Sequence, residues 1–177
     1  MSLYRICGII LESDYSFPEL LSVDRGCADC TFSLQGPRPA AEYEWFHRRV
    51  DSEGEVWMLL GKSESEYVLR FPELAEFEVS NDGRSVRCYP APALPSDTLS
   101  HLLIDQVIPL LLTLHGEVVL HSSAVRGPTS AAAFIGKSGS GKSTLPWRSS
   151  DSPSFPTMPW WYARLAIICG VSRVTQG

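Results

Sequence analysis

The residues of this chain whose types and spacing most clearly suggest chemistry are Gly136-Lys137-Ser138-Gly139-Ser140-Gly141-Lys142-Ser143. They match G-x-x-x-x-G-K-[ST] in full, with Thr144 following. At average residue usage, a chance match in a chain of this size has odds of about one in a hundred or less. The glycines let the backbone wrap so that its N–H groups converge on an anion. A helix starting after the loop would point its positive end at the same anion. Lys142 is expected to neutralise β- and γ-phosphate oxygens, and Ser143 to ligate Mg²⁺ through its hydroxyl. The ligand implied is a nucleoside triphosphate, ATP, with Mg²⁺. His121 stands fifteen positions before Gly136, at the end of an apolar run. A lone strand histidine is usually structural, but the neighbouring strand here feeds the phosphate loop. The residue types leave His121 open between packing and the γ-phosphate.

Elements that could position these residues are visible around them. Val118–Leu120 and Ala131–Ile135 are short, apolar and strand-like, with a turn at Arg126–Ser130 between them. Before them, Leu99, Leu102, Leu103, Val107, Leu110, Leu111 and Leu114 recur at helical spacing. Ser96 or Asp97 would cap this helix, Gly116 would end it and Pro109 would kink it. His101 and Asp105 lie one helical turn apart and read better as the polar edge of a packed helix than as a catalytic pair. Pro90, Pro92 and Pro95 make a stiff connector.

The first ninety or so residues read as short strands: Tyr4–Leu11, Cys30–Leu34, Glu44–Val50, Val56–Leu60, Tyr67–Phe71, Phe77–Ser80 and Ser85–Tyr89. Asn81-Asp82-Gly83-Arg84 is a hairpin signal, because Asp-Gly tolerates positive φ. The expected fold is therefore α/β. A β-rich region (1–95) leads to a helix and two strands ending in the phosphate loop (96–145), and then a tail (146–177) of altered composition.

The composition excludes several classes. The chain has 177 residues, 44% hydrophobic and 20% charged, which is ordinary for a globular protein. Its net charge of -5 argues against bulk binding of a nucleic-acid backbone. Leu99–Leu114 is the best candidate for a membrane span, but it is short and carries His101, Asp105, Gln106 and Pro109. The N-terminal residues lack a signal-peptide pattern. Five scattered cysteines suit a reducing cytosol. Cys27 and Cys30 have C-x-x-C spacing but no second ligand pair, and read as two thiols beside a turn.

Residues Leu102 to Leu145 resemble the HPr kinase/phosphorylase-like group of P-loop serine kinases. The resemblance is carried by Val118-Val119-Leu120-His121, the strand Ala131–Ile135 and the loop Gly136–Thr144. Tyr67–Pro72 and His101–Pro109 look like uncharacterised bacterial members, so the likeness spans most of residues 1–145. It implies a phosphoenolpyruvate-carboxykinase-like core and phosphoryl transfer from ATP to a serine hydroxyl of a protein or peptide. It further implies triphosphate and Mg²⁺ at Lys142 and Ser143, with His121 beside the phosphates as the catalytic candidate. The expected partners are the nucleotide and a protein or peptide phospho-acceptor, with a second copy of the chain left open. Neither nucleic acid nor membrane is expected, and the expected location is cytoplasmic.

The likeness stops after Leu145. The family continues with a helix and a strand ending in adjacent aspartates, which supply the base and a metal anchor. Here Pro146, Pro153, Pro156 and Pro159 break any long helix, and Asp151 is the only acidic residue after Glu117. The core is thus expected to be incomplete and the chain weakly active or inactive. The alternatives are a non-catalytic nucleotide-binding module or an inert fragment. A shifted reading frame is one explanation. With CGN and TCN codons assumed for Arg148 and the serines, reading from the third base of the Pro146 codon permits a helix, a glycine turn and paired acids before a strand.

Overall fold

The computed structural model describes residues 1–36, 43–120, 122–126 and 131–136. The chain divides into two compact units, Met1–Gly116 and Glu117–Gly177.

The first unit is built on one nine-stranded sheet. Its strands are β1 (Ser2–Ile6), β2 (Ile9–Ser13), β3 (Leu21–Val23), β4 (Cys30–Leu34), β5 (Glu44–Val50), β6 (Val56–Lys62), β7 (Glu66–Phe71), β8 (Ala75–Ser80) and β9 (Ser85–Pro90). The order across the sheet is β3-β1-β2-β4-β9-β8-β7-β6-β5. β4 runs parallel to both β2 and β9, and every other pairing is antiparallel.

One strand expected from the sequence becomes two. The apolar run Tyr4–Leu11 breaks at Cys7-Gly8, where both residues have positive φ (49° and 88°). Two consecutive left-handed residues form the tight turn whose twist matches a hairpin, and Ile6 then pairs with Ile9. Conversely, β6 passes through Gly61 to Lys62 rather than ending there. Gly61 is needed because Trp45 lies across it: a Cβ at this position would stand 2.7 Å from the indole.

Alternation sorts the sheet into two faces. Register places Tyr4, Leu11, Cys30, Phe32, Val86, Cys88, Phe77, Val79, Leu69 and Phe71 on one side, and all are buried. The helical segment supplies the matching apolar stripe. It runs as α1 (Ser96–Leu102), a π turn (Leu103–Val107) and α2 (Ile108–Leu114). Leu99, Leu103, Val107, Ile108, Leu111 and Leu112 are its buried residues. Pro109 sits in the first turn of α2, directly after the π turn. A wider turn relieves the clash that a proline ring makes with the carbonyl four residues earlier. Gly116, at φ 82°, closes the helix, and His115 Nε2 lies 3.1 Å from the Gly83 carbonyl of the β8–β9 turn. By length and composition Ser96–Leu114 could cross a membrane, with mean hydropathy 1.2. In this fold its apolar stripe is instead spent on the core.

The second unit contains β10 (Ser122–Arg126) and β11 (Ala131–Ile135), paired antiparallel. The expected strand at Val118–Leu120 is irregular chain, and the strand begins at Ser122.

These elements correct the expected α/β fold. The described residues form a strand-dominated structure, a mixed nine-stranded sheet with a single helical segment, rather than a β-rich half followed by a P-loop, phosphoenolpyruvate-carboxykinase-like core. The helix belongs to the same compact unit as the large sheet and covers its apolar face. β10 and β11 pair antiparallel, the pairing of a hairpin rather than of a βαβ unit.

Phe77 is fully buried on β8, near the middle of the sheet. Phe77→Ala is expected to lower unfolding free energy by about 3–5 kcal/mol, read as a shift of the urea midpoint at unchanged slope.

Candidate functional site

β11 is a run of three alanines followed by Phe134 and Ile135. Its register with β10 opposes Ser122 to Ile135 and Arg126 to Ala131. The chain therefore enters β10 at the same end of the hairpin at which it leaves β11. Ser122, at that end, is buried, whereas Ile135 and Gly136 are exposed. Strand β11 thus leads, without intervening residues, to Gly136 at an exposed position, the first residue of the G-x-x-x-x-G-K-[ST] pattern. Lys137, Ser138, Gly139, Ser140, Gly141, Lys142, Ser143, Thr144, His121 and Asp151 lie outside the described residues.

The two other chemical pairs suggested by the sequence fall in the first unit. His101 and Asp105 are both exposed, on the side of the helix away from its buried stripe. Cys27 is exposed, while Cys30 points into the core beneath the sheet. Burial pushes the Cys30 thiol up to about 12, helped by the negative charges of Asp82 and Asp29. A thiol so protonated is a poor nucleophile and a poor metal ligand. Among the described residues, no group of three or more histidine, cysteine or acidic side chains gathers as a metal site.

A cluster that sequence reading missed occupies the sheet face opposite the helix. Glu78 on β8 is 4% exposed, yet it is fully engaged. Arg87 on β9 donates to Glu78 Oε2 from Nε (3.0 Å) and Nη2 (2.7 Å). The Tyr43 hydroxyl donates to Oε1 at 2.7 Å, and Tyr89 donates to Oε2 at 3.1 Å. Arg87 also reaches Glu66 on β7, and Arg70 bonds Glu76 while lying over the Trp45 ring, 4.7 Å from its centroid. The hydrogen bond to Glu78, ahead of the charge of Glu66, holds the Arg87 guanidinium above its ordinary range. Every carboxylate here is matched by a donor, so the cluster is a network of charge-assisted hydrogen bonds. What it does is pin β7, β8 and β9 in register and tie the start of β5 to β8 through Tyr43. The alternation Ala75-Glu-Phe-Glu-Val79 was its one visible trace, a strand with charge on its second face.

Comparison with protein-family models, curated proteins and solved structures finds no match to this chain.

Cys88 shares the condition of Cys30, its thiol pushed by burial from 9.0 to about 12. A raised thiol pKa favours folding fully below the unfolded-state value. As pH rises past about 9 the unfolded chain ionises first and that advantage is lost, up to about 12. Stability should therefore fall across this alkaline window. At pH 8, a thiol reagent should label Cys27 rapidly, and Cys30 and Cys88 only after denaturant is added. Fast labelling of all three in the native protein would contradict the burial.

Proposed function

We propose that this chain binds ATP with Mg²⁺ through Gly136–Thr144, as an HPr-kinase-like protein of the cytoplasm. The observation that carries this is the junction at Ile135–Gly136, where a strand runs directly into the first glycine of a complete phosphate-binding motif at an exposed position. Such a loop needs a firm strand before it, because convergent backbone N–H groups bind an anion only if the chain entering them is fixed. Lys142 would carry the charge against the β- and γ-phosphates. Ser143 would offer its hydroxyl to Mg²⁺, which, when bound with the nucleotide, neutralises phosphate charge. His121 immediately precedes Ser122, which pairs with the residue preceding Gly136.

The natural reaction of such a site is transfer of the γ-phosphoryl group to a serine hydroxyl of a protein or peptide. Transfer requires a group to accept the hydroxyl proton and an anchor for the metal. Residues 118–177 offer one carboxylate, Asp151, set among serines and prolines. This favours binding with little turnover. The same observation supports a second reading, a nucleotide-binding module in which occupancy rather than catalysis is the output.

Lys142→Ala should weaken Mg-ATP binding by at least tenfold with little change in stability, because the side chain serves the ligand. Titration calorimetry on both proteins measures this, and equal affinities would sink the assignment. A phosphoryl-transfer or ATPase assay then separates the two readings, with slow but Lys142-dependent turnover expected for a kinase and none for a module.

His121→Ala should weaken ATP more than ADP if the imidazole serves the γ-phosphate. An equal loss for both nucleotides would make it a packing residue.

A further inference from the structure

Strand β5 is the outer edge of the nine-stranded sheet, and among the described residues nothing pairs with its free side. Five consecutive residues, Phe46 to Val50, are exposed. Unpaired backbone groups on such an edge are a template for a second copy of the same chain. We propose that β5 is instead a guarded edge, kept from pairing with itself by Arg48, Arg49 and the bulge at Phe46.

Register carries the argument. The pairing with β6 shifts between Trp45 and His47 and again between Arg49 and Val50. The extra residue is Phe46, on β5, at the first shift and Trp57, on β6, at the second, and between them His47, Arg48 and Arg49 stay regular, opposite Leu60, Leu59 and Met58. Two copies joined edge to edge must be related by a two-fold axis perpendicular to the sheet, so facing residues share a face. An axis at Arg48 sets Arg48 against its own copy and His47 against Arg49. An axis at Arg49 opposes two Arg49 side chains. An axis at His47 sets Trp45 against Arg49, but Trp45 lies opposite Gly61 and Arg49 opposite Met58, which point to different faces of β6. Each arrangement meets like charge or broken alternation. The guard is independent of nucleotide binding.

The test removes both devices. Deleting Phe46 takes out the residue inserted at the first shift, and Arg48→Thr removes the charge at the centre of the regular stretch. Sedimentation velocity across a hundredfold concentration range should show the combined variant associating at least tenfold more tightly than the natural chain. Circular dichroism reports whether it has folded. If the deletion prevents folding, the Arg48→Thr, Arg49→Thr double variant replaces it, with association expected to rise and to lose its dependence on salt. A folded variant that associates no more than the natural chain overturns the proposal. So does a natural chain whose own self-association is abolished by Arg48→Glu.

Discussion

The nine strands form one sheet because β4 lies parallel between β2 and β9. Without it, the hairpin layer of β3, β1 and β2 and the meander of β5 to β9 would be two small sheets, each with an extra edge. β4 can hold this position because its alternation is clean: Cys30 and Phe32 turn inward while Thr31 and Ser33 turn outward. Phe32 packs edge-on against Phe17, whose ring also meets Tyr4 and Tyr15. The Tyr4 hydroxyl in turn accepts the Phe17 backbone N–H. The loop between β2 and β3 is thus fastened to the strand that joins the halves.

The two faces of the sheet are stabilised by different physics. On one, burial of apolar side chains under the helix removes surface from water and sets no fine geometry. On the other, ion pairs among Arg87, Glu66, Glu78, Arg70 and Glu76 contribute less net energy, because desolvation offsets most of their attraction. They impose direction, however. A slip of β8 against β9 by one residue would take Glu78 from Arg87 and place it in the apolar layer. This is why a face with no evident catalytic role still carries so many matched charges.

The glycine-rich run that starts at Gly136 belongs to the second compact unit. The large sheet and its helix form one compact unit, and the motif begins in the other, at the end of a small antiparallel hairpin. Phosphate binding by a glycine-rich loop is a local property of backbone N–H groups and one lysine, so it does not require a particular sheet around it. Catalysis differs, because a base and a metal anchor must be brought from distant positions by the fold.

The sequence by itself determined the local features. Cys30–Leu34 and Ala131–Ile135 are strands with the expected bounds, since each is an apolar, β-prone run closed by turn residues. The helical stripe from Leu99 to Leu112 was equally legible, because its apolar residues recur three and four positions apart. The G-x-x-x-x-G-K-[ST] pattern at Gly136–Ser143 is a property of consecutive residues and is read from sequence alone. Tertiary structure alone decided the rest. The break at Cys7-Gly8 depends on two left-handed residues, one of which is not glycine, and no pattern of hydrophobicity marks it. The parallel placement of β4 and the covering of the large sheet by the helix are choices among pairings that leave every local preference unchanged. The cluster around Glu78 unites residues from four separate stretches, and sequence shows only that each strand has a polar side, not that those sides coincide.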